Sequence, residues 1–348
     1  MDLKLRYIAD WLEEYPPKPY FTAERLKIFK EIDRIFLDGT LTSQGGEFDI
    51  GDENRQVKNN PIRDLYVHQM LKALREIESC TVKTGVVVWQ LYNMGYIIKT
   101  PTVTMGFDVV RGLKKHNWGW NIPDEILRGL VRCLDVLFVT HYVDHYHEHT
   151  DTWWHTDHCD TGIVSLMQEA GKHVVLPAGN ENYFEKHEHT VFAGDDHIIS
   201  LPGMEVTSYA GPHVYQDNLV ETPLRVFKVV TGEGKRILFA GDFDYIAESS
   251  VPHQTDLDIL FLRCGGVSPL YDDQNPYDLG DDEDAFHIGT QEFKTKYVVA
   301  GHLGELSHPR GGGRESYETA FKIFARFADT VKINRLILFW GEKYHCEI

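Results

Sequence analysis

Three apolar runs in the chain end in the same way. Leu137–Thr140 (LFVT) runs into His141, Arg236–Gly241 (RILFAG) into Asp242, and Lys296–Gly301 (KYVVAG) into His302. Each run reads as a short strand buried on both faces. In the second and third, a closing glycine lets the backbone turn sharply as the next side chain faces the edge. Strands of one sheet deliver their C-terminal residues to one shared edge, where loops converge on a cleft. Imidazoles and carboxylates far apart in sequence are therefore expected to meet. The first run continues as HYVDHYHEH, which adds Asp144, His145, His147 and His149. EVTSYAGP leads to His213, and LDILFLR to Cys264-Gly265-Gly266.

Imidazole nitrogen and carboxylate oxygen are ligands for zinc, iron or manganese. The chain has 18 histidines, and a lone loop histidine is more often exposed than a ligand. The weight therefore falls on the joint pattern of strand ends, not on any single residue. The five cysteines are scattered and form no CxxC pair, which argues against a disulfide framework and against a thiolate zinc site.

The rest of the sequence sets this pattern in an α/β frame. DLKLRYIADWLEEY, TAERLKIFKEIDRIFLDG and IRDLYVHQMLKALREIES carry apolar residues at helical spacing, with Thr22 as an N-cap. The polar stretch TLTSQGGEFDIGDENRQVKNN between them reads as a loop. From residue 84 the texture changes to Val, Ile, aromatics and Thr, broken by Gly95 and Pro101, which predicts two or three consecutive strands. Helices and strands then alternate: IPDEILRGLVRCL, DVLFVT, GIVSLMQEAG and KHVVLPAG, followed by hairpins in HIISLPGMEVTSYAG and LRVFKVVTGEGKRILFAGD. TDLDILFLRCGG, FKTKYVVAGH and INRLILFW are further buried strands, with the helix YETAFKIFARFADT before the last. This is the pattern of sheets with helices outside them.

The net charge of −18 disfavours nucleic acid, which is bound by neutralising phosphates with Lys and Arg. No apolar run approaches the roughly 20 residues needed to cross a bilayer, and the charged, proline-broken start is no secretory signal. A cytoplasmic protein is expected.

The order of motifs resembles the metallo-β-lactamase superfamily over most of residues 84–348. The resemblance rests on opening strands with a tight Asn-to-Gly turn and an Asp at their end (VWQLYNMGYIIKTPTVTMGFDV), and on a T-H-x-H-x-D-H-like motif (THYVDH). It continues in a Gly-Pro-His loop (GPHV), a strand ending in Gly-Asp (FAGDFD) and a terminal histidine after a strand (VAGHLGE). DLDILFLRCGG looks most like the branch of ascorbate-6-phosphate lactonase-like hydrolases. The resemblance implies an α/β fold, an αββα sandwich over 84–348, with a helical extension over 1–83. It also implies a divalent metal cofactor, one or two ions, zinc first with manganese or iron as alternatives. The implied ligands are His141, Asp144, His145, His213, Asp242 and His302. Asp242 bridges the metals, and Asp144 orients the nucleophile or takes its proton. The implied chemistry is attack by a metal-bound hydroxide on an ester, lactone or phosphodiester.

The chain departs from the motif in one respect. H-Y-V-D-H is one residue short of H-x-H-x-D-H, so the second histidine has no counterpart. His147 or His149, folding back, is one replacement. A degenerate, non-catalytic binding module of the same fold is the rival reading, and a nuclease of the superfamily is a third. For substrate, Trp153, Trp154 and His155 offer an apolar wall, with core packing as the competing role. Arg310 and Arg314 in SHPRGGGRES offer planar forks for an anionic group, with an exposed turn as the alternative. The expected partners are a small-molecule substrate, no membrane, and a second copy through the N-terminal helices.

Overall fold

The computed structural model describes residues 1–20, 22–37, 61–112, 122–142, 145–147, 152–154, 158–211, 224–243, 251–252, 254–264, 293–304, 316–326 and 333–348. The polar stretch over 40–60 lies outside them.

Three strands, β1 (Val86–Gln90), β2 (Tyr96–Lys99) and β3 (Thr104–Phe107), open the first sheet as an antiparallel meander. The chain then crosses through helix α4 (Asp124–Cys133) to β4 (Val136–Phe138), and through α5 (Thr161–Glu169) to β7 (His173–Pro177) and β8 (Thr190–Ala193). These later pairings are parallel, so β3, β4, β7 and β8 all end at one edge. Strands β9 (His197–Leu201), β10 (Met204–Gly211), β11 (Leu224–Thr231) and β12 (Arg236–Phe239) form the antiparallel half of the second sheet. Its parallel half adds β13 (Leu257–Arg263), β14 (Thr295–Gly301) and β15 (Asn334–Leu336), with α6 (Tyr317–Arg326) before β15. Among the described residues each sheet has seven strands; with β16 (Lys343–Cys346) on the outer flank of β1, the orders are β16-β1-β2-β3-β4-β7-β8 and β15-β14-β13-β12-β11-β10-β9.

The strands alternate between two apolar layers, as the period of two requires. Val86, Val88, Phe107, Phe138, Phe227, Phe239 and Phe261 face the gap between the sheets, while Val87, Trp89, Leu137, Leu260 and Leu262 face the helices. Phe107 stacks on Phe239 at 4.4 Å between centroids and on Phe138 at 4.6 Å, which joins the sheets through aromatic faces. This is the αββα layering of a metallo-β-lactamase-like sandwich.

The N-terminal helices α1 (Leu3–Glu14), α2 (Ala23–Leu37) and α3 (Pro61–Ser79) share the outer apolar layer with the sheets. Arg25 N–H donates to Thr22 Oγ1 at 3.2 Å, so Thr22 serves as an N-cap. Arg25 forms a buried ion pair with Glu342 and donates to the Tyr15 and Ile337 carbonyls. Asp33 accepts from the Tyr317 and Glu318 backbone N–H groups at 2.9 and 2.7 Å, which caps α6. Trp89 Nε1 donates to Glu76 at 3.2 Å and Lys99 Nζ to the Ile77 carbonyl, which fasten α3 to the first sheet.

Five strands differ from the sequence expectation. INRLILFW is a strand only over Asn334–Leu336; the chain then turns at Gly341 (φ 72°) and returns as β16 (Lys343–Cys346), antiparallel to β1. Thr190–Ala193 adds β8 where no strand was expected; it runs parallel to β7, entered by a turn in which Thr190 N–H donates to the His187 carbonyl at 3.0 Å. The donor-rich run after His141 contains β5 (His145–His147), paired with β6 (Thr152–Trp154). No described helix is long and apolar enough to cross a membrane.

Candidate metal centre

The shared edge collects side chains from four strand ends. β3 delivers Asp108, β4 delivers Thr140 and His141, β12 delivers Asp242, and β14 delivers His302. The turns that do this use the left-handed backbone region. Asp108 (φ 45°) and His302 (φ 58°) adopt it although they carry a Cβ, a local strain that surrounding contacts must hold. Gly241 (φ 58°) adopts it at less cost, and a Cβ there would meet three Thr140 atoms at 2.9 Å. That close approach sets the Asp242 turn directly against the His141 turn across the two sheets. The Arg225 N–H to Thr140 carbonyl bond, 2.7 Å, ties the start of β11, also in the second sheet, to the same His141 turn.

Asp242 is the hub. Its Oδ2 lies 3.2 Å from His302 Nε2, 3.1 Å from His158 Nε2 and 4.0 Å from His141 Nε2. All four residues are buried. The His141 and His158 rings are 4.1 Å apart, and the His158 and His302 rings are nearly parallel at 5.9 Å. His141, His158 and Asp242 each offer a ligand atom within 4.8 Å of the others. Behind them, Asp108 Oδ2 is 2.9 Å from His158 Nδ1, and the same carboxyl takes the Thr140 N–H at 2.7 Å and the Thr140 hydroxyl at 2.6 Å.

Burial pushes the Asp242 carboxyl up, but the imidazoles of His158 and His302 outweigh it and hold the group well below the usual carboxylate range. At Asp108 burial dominates and raises the pKa, with the His158 and Thr140 hydrogen bonds pulling the other way. Among the described residues, Asp242 Oδ1 is buried without a hydrogen-bond partner. A buried carboxylate oxygen in that state calls for a cation or a donor. A nitrogen-and-oxygen donor set with no thiolate suits zinc, iron or manganese. The residues therefore fit a divalent metal.

Of the residues expected at the site, the structure brings His141, Asp242 and His302 together. His145, Trp153 and Trp154 lie on the backbone of β5 and β6. Asp144, His213, Arg310 and Arg314 lie outside the described residues, as do His149 and His155. His158 and Asp108 were not among the expected ligands. His158 follows no apolar run, so the strand-end signal does not reach it. The cue present in the sequence is Asp160-Thr161-Gly162, the N-cap of α5, two residues beyond it: Asp160 accepts from Gly162 and Ile163 N–H at 2.9 and 3.2 Å.

No family model and no curated protein matches this sequence. Solved structures do. The isothiocyanate hydrolase from Delia radicum gut bacteria is 16% identical, with 75% of this chain and 100% of that chain covered and a TM-score of 0.51. A candidate metal-dependent hydrolase from Parabacteroides distasonis is 12% identical over 76% of this chain and 97% of that one, TM-score 0.51. A metallo-beta-lactamase fold protein from Bacillus subtilis superposes less closely, 14% identical over 75% and 99%, TM-score 0.44. At these identities the likeness is one of fold.

Proposed function

We propose that the protein is a metal-dependent hydrolase acting on a small molecule that carries an ester, lactone or phosphodiester group. The observation that carries this reading is the buried convergence of His141, His302 and Asp242 at the edge where both sheets end. The fold shared with an isothiocyanate hydrolase supports it. Among the residues of the family motif, Asp144, His145 and His213 belong to the same proposal. The ascorbate-6-phosphate lactonase-like branch is the proposed subgroup, zinc the proposed metal, and Trp153, Trp154, Arg310 and Arg314 the proposed substrate contacts. Residues 1–83 enter it as a helical extension that braces the catalytic domain, residues 84–348.

A divalent cation held there supplies Lewis acidity and lowers the pKa of water toward neutrality. The chain's own residues do the rest. Asp242, kept ionised, contributes negative charge at the centre of the cluster. His141 and His302 approach it from opposite sheets, so the two halves of the sandwich fix the spacing. Phe107, Phe138 and Phe239, buried in the strands that lead to Asp108, His141 and Asp242, give the site an apolar floor, where electrostatic interactions are stronger than in water.

A screen of lactones, phosphodiesters and thioesters with metal-loaded protein tests the proposal. Turnover that disappears in Asp242→Ala, in protein that retains its fold by circular dichroism, is the expected result. Bound metal with no turnover of any class favours the binding-module reading instead.

A further inference from the structure

We propose that Arg225 is a specificity-determining residue of the site and binds an oxyanionic group of the substrate, a carboxylate or a phosphate, beside the edge where the bond is cut. The inference rests on the metal-dependent reading above and names the substrate class: a small acid whose charged end is separate from its ester, lactone or phosphodiester.

The placement follows from strand direction. β11 is antiparallel to β12, so its first residues stand at the rim where β12 delivers Asp242. Arg225 N–H bonds the carbonyl of Thr140, the residue before His141. The period of two sets the Arg225 side chain on the same face as Phe227 and Val229, which face the gap between the sheets. It crosses that gap: Nε donates at 2.9 Å to the carbonyl of Ala193, the last residue of β8 in the first sheet. β8 runs parallel to β7, and β7 to β4, so Ala193 lies at the same rim as His141. β11 is the direct neighbour of β12, and β8 stands two places from β4. At about 4.8 Å per strand, the guanidinium is anchored roughly 5–10 Å to one side of the metal cluster.

The charge of Arg225 is not consumed there. Arg25, Arg111 and Arg236 each pair with a carboxylate: Arg25 with Glu342, and Arg111 with Asp160 and Arg236 with Asp256 at 2.7 Å. Among the described residues, Arg225 has no such pair. Asp195 acts on it only from beyond ion-pair distance, and Asp195 Oδ1 is taken by the Ala210 and Asp196 N–H groups at 2.7 and 3.1 Å. Arg225 is half-buried, and burial pulls its pKa down against the effect of Asp195. Holding a desolvated cation without a counter-charge costs free energy. A brace between the sheets does not require it: the Arg225 N–H already ties them, and the Ala193 carbonyl also takes the Ala178 N–H at 2.8 Å. A guanidinium has five N–H donors in a planar fork. Ala193 takes the one on Nε, and the two Nη groups keep the fork that fits a carboxylate or a phosphate. The chain carries a net charge of −18, so an anionic substrate depends on a local cation of this kind to hold it beside Asp242.

Two measurements on the full-length, metal-loaded protein test the assignment. Calorimetric titration with inorganic phosphate and with succinate reads anion binding directly, and the tighter of the two identifies the preferred group. Hydrolysis of mono-para-nitrophenyl adipate is compared with that of para-nitrophenyl hexanoate, the same chain without the terminal carboxylate. Arg225→Gln is expected to weaken the better anion about 10- to 100-fold, as loss of hydrogen bonds to a charged group predicts. The adipate-to-hexanoate ratio of kcat/KM should fall by a similar factor, through KM. Arg225→Lys, which keeps the charge without the fork, should recover part of both. Wild-type anion affinity in folded Arg225→Gln, an equal loss on both esters, or a wild type that binds neither anion overturns the inference and leaves the hydrolase reading standing. Anion binding that needs Arg225, in protein that turns over no ester, lactone or phosphodiester, upholds the anion site and overturns the hydrolase reading.

Discussion

Two buried polar clusters among the described residues solve the burial of charge differently. Where the N-terminal helices meet the C-terminal turn, Arg25 and Glu342 pair directly, Phe339 N–H donates to the same Glu342 carboxylate at 2.8 Å, and the guanidinium lies 4.9 Å over the Phe29 ring. One fixed cation meets one anion there, although Glu342 Oε1 is itself buried without a hydrogen-bond partner among the described residues. At the sheet edge, two carboxylates, Asp108 and Asp242, meet histidines, and among the described residues neither is paired with an arginine or lysine. The first arrangement closes a structure. The second has room in its electrostatics for a cation from outside.

The contrast can be broken from either side. The largest stability effect is expected from Arg25→Met. It leaves Glu342 buried without its partner, and breaking such a pair costs about 3–5 kcal/mol. Urea unfolding measures it, and metal content per folded chain should be unchanged. Removing metal with a chelator should act at the other cluster. Free metal at about 1,000 times its Kd stabilises by roughly 4 kcal/mol, so stripped protein should melt lower and recover on adding Zn2+ back.

A third expected effect concerns Asp33, beside the helical clamp. Burial raises its carboxyl from its ordinary 3.8 to about 7, against the pull of the Glu318 and Tyr317 N–H groups. The folded state therefore holds this proton more tightly than the unfolded chain. Its contribution to stability is fully present below about pH 4 and is lost as pH rises through about 7, roughly 2–4 kcal/mol in total. Asp33→Asn should flatten that part of the pH–stability curve, measured by urea midpoints from pH 4 to 8. The smallest effect is expected from Thr22→Ala, where losing the cap of α2 should cost about 1 kcal/mol without touching metal uptake.

The sequence displayed the sandwich and part of its edge for a physical reason. Buried strands on both faces read as apolar runs, and whatever follows such a run sits at a sheet edge. That made His141, Asp242 and His302 visible as a group. The same logic missed β16, because Lys343–Cys346 is short and charged and is held as a strand by pairing with β1. It missed the tight pairing of β8 for the same reason: the partner, not the composition, makes the strand. His158 was invisible because its position is set by the Arg111–Asp160 latch, a contact 49 residues apart in sequence. Asp108 was visible as the end of an opening strand, but its role depends on three hydrogen bonds that no spacing announces.

The pairing of β16 with β1 has a consequence for biogenesis. Val86–Trp89 acquires its outer neighbour only from Lys343–Cys346, and Lys235 Nζ reaches the Ile348 carbonyl at 2.5 Å. During synthesis, the flank of the opening meander must wait for Lys343–Cys346 to leave the ribosome, a long interval with an unpaired strand edge open to chaperones or to mispairing.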